Sequence, residues 1–294
     1  MMKLTTLAIN RIRKEGYLPD SEDPGAIFRA LSKHCVSGPV LPQSNTGLKY
    51  LDNIFPHRFV AKSFGLPSLH EAFYDDEQMR KAINYVFSTG REPTKDLVLR
   101  NLKFNVHMPS HFFPSSAAAL CRSFASGKDV YDPFIGWGGR LLGAACANVR
   151  RFVGTDLQAA SATSGERLVS DFSHLSAMEC ELVCCDFVQF MRDTDRKFDL
   201  ILASPPFLDT EDYGNGHNRT VRQWTENVAI PLAQLSVHTL HDDGRVAIHS
   251  QDRSGVSVLS IMYAAFACSD FELVADLKYG KKPGQSVLVW QKHS

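Results

Sequence analysis

A chain of 294 residues is long enough for one large domain, or for a catalytic domain with a smaller companion, and a hydrophobic fraction of 44% excludes extended disorder. Thirty-two basic residues balance thirty-two acidic ones, which disfavours an indiscriminate polyanion binder while leaving room for a local basic groove. Seven cysteines without a CxxC pair and eleven histidines without ligand spacing suggest neither a metal site nor a disulfide framework; with no signal peptide and no membrane-length apolar run, a reduced, cytoplasmic setting without a membrane partner is expected.

Residues up to about Met108 read as helical, and 1–104 are expected to form an N-terminal helical region with substrate recognition as its candidate role. Asp23 precedes Pro24 and the periodic AIFRALSKHC, an N-cap with proline at the first helical position. Ser68 and Glu71 match a capping box, Asp76 to Phe87 carries helical spacing and ends near Gly90, and Thr94 precedes KDLVLRNLKF. No motif in this part carries chemistry of its own.

From about Asn105 strands and helices alternate, the signature of a doubly wound sheet. An alanine-rich helix with Ser115 or Ser116 as its cap is followed by the strand VYD, the loop DPFIGWGGR and the helix RLLGAACANV. Phe152 to Asp156 is a second strand and Ala159 to His174 its helix. Cys180 to Cys185 is a third strand, expected to be buried, followed by a helix near Val188 to Arg192. FDLILA is the fourth: Leu200, Ile201 and Leu202 suit a strand buried on both faces, which Pro205 and Pro206 must end because neither can donate to a ladder. Ala229 to Leu240 is helical, Arg245 to Ser250 follows the turn HDDG as a fifth strand, and Val256 to Cys268 is helical. FELVADLKYG and QSVLVWQKH close the chain as a hairpin around Gly280–Gly284. The expected fold is α/β: a seven-stranded, mostly parallel, doubly wound sheet with an N-terminal helical region.

The chemistry concentrates at the strand ends. Gly136, Gly138 and Gly139 let the backbone approach a ligand and tolerate positive φ, while the helix behind them favours negatively polarised groups. A nicotinamide dinucleotide loop would place glycine where Leu141 stands, and an acidic residue at the loop's start would repel a pyrophosphate. Asp132 suits instead a ligand with a free amino group, such as the methionyl amine of S-adenosylmethionine. Asp156 lies at the spacing of a ribose-hydroxyl acceptor, and Asp186 could accept from an adenine amine. Each aspartate taken singly also reads as a helix N-cap. Three strands ending in aspartate and a fourth in Ser204-Pro205-Pro206-Phe207 make a pattern that single caps do not explain.

These residues resemble the class I S-adenosylmethionine-dependent methyltransferases that modify exocyclic amines of DNA bases, the cytosine-N4 branch above all, whose proline-proline-aromatic motif begins with serine. DYGN (Asp212 to Asn215), Trp224 and DDGRVAIHS continue the likeness, and HFFPSSAAAL (His111 to Leu120) resembles the segment cradling the methionine end. The resemblance covers about Asn105 to Ser294. It implies S-adenosylmethionine held by Phe113, Pro114, Asp132, Pro133, Phe134, Gly136, Gly138, Gly139, Asp156, Leu157, Asp186 and Phe187. It implies catalysis by Ser204, Pro205, Pro206 and Phe207 on a flipped-out cytosine of DNA. Tyr213, Arg219 and Arg222 are candidate substrate contacts. Lys278, Lys281 and Lys282 are candidate phosphate contacts, with solvated surface charge the plainer reading. His249 reads as a satisfied core residue, and the absence of Pro-Cys argues against methylation at ring carbon 5. Adenine-N6 methylation, RNA-base methylation, and a non-catalytic module binding S-adenosylmethionine or nucleic acid remain as alternatives.

Overall fold

The computed structural model describes residues 2–61, 66–106, 108–206, 220–252, 255–280 and 283–293. In chain order these form α1 (Met2–Glu15), α2 (Pro24–Leu31), α3 (Leu48–Ile54), a 3-10 turn at Pro56–Phe59, α4 (Leu69–Tyr74), α5 (Asp76–Ser88), α6 (Lys95–Leu102) and α7 (Pro114–Phe124). Strands and helices then alternate as β1 (Asp129–Asp132), α8 (Gly139–Ala145), β2 (Arg151–Asp156), α9 (Ala159–Phe172), β3 (Glu179–Cys184), α10 (Phe187–Asp193) and β4 (Phe198–Ala203). The chain ends with α11 (Val221–Trp224), a π-helical turn at Thr225–Ala229, α12 (Ile230–Thr239), β5 (Leu240–Gln251), α13 (Val258–Ala267), β6 (Phe271–Lys278) and β7 (Gln285–Lys292).

Several helix starts are made by the side chains the sequence points to. Asp23 accepts from the Ala26 N–H at 2.6 Å, Ser68 and Glu71 close a capping box, and Thr94 accepts from the Leu97 N–H. Each such cap is worth about 1 kcal/mol. The start of α7 differs from expectation. Phe113 occupies its cap position without a side-chain acceptor, and Ser115 and Ser116 donate to the Pro42 carbonyl at 3.0 and 2.6 Å. Proline at the first helical position has no N–H to satisfy, which leaves both hydroxyls free to hold the preceding loop.

The chain divides into two compact units. One contains residues 2–20 and the described part of 56–110; α1, α4, α5 and α6 bury Ile12, Phe73, Met79, Ile83 and Val98 against one another. The other contains residues 21–55 and the sheet with its helices. A single break near residue 104 is thus not how contacts partition: α2 and α3 group with the sheet because Ile27, Leu31, Tyr50, Leu51 and Phe55 share a core with α7 and α8.

The seven strands lie in the order β3-β2-β1-β4-β5-β7-β6. The first five run parallel to one another, and β7 runs antiparallel to both β5 and β6. Alternate residues feed opposite faces, as the pleat requires. Val130, Phe152, Leu200, Leu202, Ala247 and Val289 face the core shared with α7, α8 and α9. Tyr131, Val153, Ile201, Ala203, Val246, Ile248 and Trp290 face that of α10, α12 and α13. β4 sits in the middle of the sheet, and fully burying Leu200 and Leu202 is worth about 1.5–3 kcal/mol each. β5 starts at Leu240, before the expected turn, with the register slipping between Phe198 and Leu200 of its neighbour. β3 is not the buried strand expected. It is an edge strand and pairs only with β2, so Cys184 is exposed, and Cys180 and Cys185 are half-buried.

Candidate active site

The chain runs from β1 outward to β2 and β3, then returns to place β4 on the other side of β1. Ligands of open α/β sheets bind at such a reversal, outside the carboxyl ends of the strands. Because β1 to β4 are parallel, Asp132, Asp156, the segment Cys185–Asp186 and Ser204 all leave the sheet at one edge.

Asp132 is completely buried, and both its oxygens are engaged. Oδ1 accepts from the Phe134 N–H at 3.0 Å, and Oδ2 accepts from Arg140 Nε at 2.8 Å. Burial pushes its carboxyl above the ordinary range, opposed by the Arg140 charge and these hydrogen bonds. Arg140, itself buried, also donates to the Phe134 carbonyl and lies over the Phe112 ring at 5.5 Å. Asp132 therefore clamps the glycine loop from within. Gly138 opens α8 with φ of +73°, and a Cβ on it would fall on the Phe55 ring. A Cβ on Gly139 would fall on the Phe112 carbonyl oxygen. The space these two glycines leave is filled by protein. Gly136 has φ of +53° and no steric obstacle at the Cβ position, so it alone of the three leaves an open backbone face. Farther along α8, Gly143 meets Ala117, Ala118 and the Pro114 carbonyl of α7.

Asp156 holds the other side of the loop, its oxygens accepting from the Gly136 and Gln158 N–H groups at 2.8 Å each. Burial raises its carboxyl, and those two N–H groups oppose the rise. Asp186 caps α10 through one oxygen, which accepts from Val188 and Gln189. The N-cap role that the sequence allowed is thus real for Asp186. Asp156 and Asp186 are only half-buried, and each retains acceptor capacity, since an ionised carboxylate accepts about four hydrogen bonds. Beside them Phe134 packs on buried Phe187 with ring centres 4.9 Å apart, and Leu157 is 57% exposed. Pro133 is buried, its carbonyl accepting from the Thr155 hydroxyl. The Phe113 N–H donates to the Tyr279 hydroxyl at 2.8 Å, tying the start of α7 to the end of β6.

At the end of β4, Ser204 Oγ and His249 Nδ1 are hydrogen-bonded at 3.1 Å. Pro205 is buried, and the Pro206 carbonyl accepts from the indole N–H of fully buried Trp224 at 2.6 Å. The corner is thereby fixed from below, and the Pro206 oxygen is already used. Phe207, Tyr213, Arg219, Lys281, Lys282 and the DYGN segment lie outside the described residues. Arg222 is on α11 and pairs with Glu226 at 2.8 Å on the surface. Three contacts escaped sequence reasoning: Arg140 on Asp132, Trp224 on Pro206 and His249 on Ser204.

No protein-family model matches the sequence, and no curated protein matches it. Among solved structures, TrmN from Thermus thermophilus is 22% identical, with 61% of this chain and 48% of that one covered and a TM-score of 0.47. SMU.776, a putative methyltransferase complexed with SAH, is 15% identical over 63% of this chain and 51% of its own, with a TM-score of 0.48. A methyltransferase from Pyrococcus furiosus is 15% identical over 60% and 80%, with a TM-score of 0.45. The chain thus spans about half the length of the first two.

Proposed function

We propose that the sheet unit binds S-adenosylmethionine at the ends of β1, β2 and β3 and methylates an exocyclic nucleobase amine, cytosine N4 in DNA, presented at the end of β4. The observation that carries this reading is the Ser204-Pro205-Pro206 corner standing across the strand-order reversal from the aspartate-ended strands. The donor set suits a nucleoside. Asp156 has acceptor capacity for a ribose diol, Asp186 for an adenine amine, and Phe134, Phe187 and Leu157 offer apolar surface for a ring. Gly136 provides the close backbone approach. Phe113 and Pro114 would border the methionine end. Pro133, Gly138, Gly139 and Asp132 would act on the same ligand by shaping the loop. When bound, the cofactor supplies a methyl group activated by a sulfonium.

An aromatic amine is a poor nucleophile because its lone pair is delocalised into the ring. Acceptors aimed at its hydrogens favour a pyramidal nitrogen and stabilise the positive charge that develops there. The Ser204 hydroxyl and the Pro205 carbonyl are suited to that role, and Phe207 to stacking on a base drawn out of its helix. Holding the amine in line with the methyl supplies most of the acceleration. Arg219, Arg222 and Tyr213 are the candidate contacts to the strand, and residues 1–104 are a candidate recognition element.

Two measurements test this together. Calorimetry with S-adenosylhomocysteine should show binding that Asp156→Ala weakens at least tenfold. DNA from cells expressing the protein, digested to nucleosides and analysed by mass spectrometry, should contain N4-methylcytosine. N6-methyladenine would move the target to adenine, and methyl groups found only in RNA would move it to RNA. Binding without any methylated base would leave a cofactor-binding module, and no binding by folded protein would refute the proposal.

A further inference from the structure

We infer that His249 is a positioning residue for Ser204: it holds the serine proton, turning the hydroxyl into an acceptor for the substrate amine. The inference rests on the amine-methylation reading above and adds a residue to it. A serine hydroxyl carries one proton and two lone pairs, so a fixed acceptor for the proton turns the lone pairs toward an incoming N–H. The sheet register supplies that commitment. Ala203 of β4 pairs with Ile248 of β5 in a parallel ladder, so the next residue on each strand is Ser204 and His249. Their Oγ and Nδ1 atoms are 3.1 Å apart.

The imidazole is held in place by its surroundings. It is 7% exposed, and its ring lies 4.2 Å from that of Tyr279 at 48° and 5.7 Å from that of Phe112 at 78°. Tyr279 is anchored in turn by the Phe113 N–H, and Phe112 by its contact with Arg140. The faces of Tyr279 and Phe112 would also be satisfied by an apolar ring or chain. A nonpolar residue would lose the nitrogen that faces Ser204.

The same contact gives the reaction's surplus proton a destination. Once methylated, the amine nitrogen carries one proton more than the neutral product. Its N–H bond breaks with the electron pair returning to nitrogen, and a new O–H bond forms on Ser204. The original serine O–H bond breaks as an N–H bond forms at Nδ1. One proton moves from substrate to imidazole, serine ends as it began, and solvent later removes the proton from the ring.

The test combines a spectroscopic and a kinetic readout. In long-range proton–nitrogen correlation spectra of histidine-labelled protein without ligands, His249 should carry its proton on Nε2, leaving Nδ1 bare. Ser204→Ala should shift the Nδ1 resonance. His249→Leu should lower kcat roughly 10²- to 10³-fold, while KM for the nucleic acid and affinity for S-adenosylhomocysteine stay within about threefold. His249→Asn, whose amide oxygen can accept near the Nδ1 position, should recover at least tenfold of that loss; should His249→Leu fail to fold, His249→Asn and the spectra still decide. A proton found on Nδ1, or an undiminished kcat in folded His249→Leu, would overturn the inference and leave amine methylation standing. If the wild-type protein methylates no nucleobase amine, both fall.

Discussion

Replacing Arg140 with methionine keeps an unbranched apolar stem and removes the only cation bonded to Asp132 among the described residues. The carboxylate is completely buried and would retain the hydrogen bond from the Phe134 N–H. Removing one member of a buried pair typically costs about 3–5 kcal/mol, because the remaining charge is left uncompensated. That is a large part of the roughly 5–15 kcal/mol by which domains are stable. The loss should depend on pH, with a sign that follows from the raised carboxyl. Its folded-state value lies above the ordinary 3.8, so in the window above 3.8 the native state binds more protons than the unfolded chain and stability falls as the pH rises. Without Arg140 the carboxyl moves higher still, and the window extends toward neutrality. The deficit of Arg140→Met should therefore shrink when urea titrations are run at about pH 5.5 rather than about pH 8. Adding Asp132→Asn should restore at least half of it. Tryptophan fluorescence isolates the relevant unit, since Trp137, Trp224 and Trp290 are the only tryptophans and all belong to the unit that contains the sheet. A loss below about 1 kcal/mol, or one that does not vary with pH, would refute the clamp.

Three further outcomes are expected. Gly139→Ala should destabilise the sheet unit by about 2 kcal/mol or more, because its Cβ meets the Phe112 backbone rather than a movable side chain. Gly136→Ala should lose only about 1–2 kcal/mol, from its left-handed φ, yet weaken S-adenosylhomocysteine binding more than Gly139→Ala does in protein that remains folded; equal effects on stability would contradict the assignment. Under brief alkylation and peptide mass spectrometry, exposed Cys35, Cys184 and Cys268 should label first. Cys121 and Cys146 should resist until unfolding, since burial raises both thiols, Cys146 to about 12; labelling of Cys121 as fast as Cys184 would show that α7 opens locally. In the helical unit, burial lowers the His57 imidazole from 6.5 to about 4. Between those values the unfolded chain binds the proton that the native state refuses, so stability is full above 6.5 and declines on acidification. His57→Gln should flatten that decline in urea titrations followed by circular dichroism, and an unchanged slope would assign it to other groups.

Much of this architecture is legible in short stretches. The apolar run Leu200–Leu202 before two prolines is enough to place a central strand and its end. An aspartate after each of three strands marks one sheet edge once the strands are parallel. Asp23, Ser68 and Thr94 name their helices because a cap bonds only a few residues away. What escaped depends on partners distant in sequence or on order in space. Ser204 and His249 are 45 positions apart and meet only through the β4–β5 register. Exposure of Cys184 depends on β3 being outermost, which an apolar strand pattern does not encode. Arg140 could be a surface residue or a core one depending on how α8 is rotated about its axis. The packing of Gly138 and Gly139 against Phe55 and Phe112 turns it inward.

The seam between α7 and α8 has one more implication. Where Gly143 abuts Ala117 and Ala118, and Gly139 abuts Phe112, two backbones touch with no yielding side chain between them. Such a joint transmits displacement instead of absorbing it, so the segment entering α7 and the loop entering α8 must travel as a single rigid piece. On the proposed reading, the loop offered to the nucleoside would accordingly be preset before any ligand arrives. Discrimination among target bases would then fall to the end of β4, where the diproline corner is braced by one indole and one imidazole.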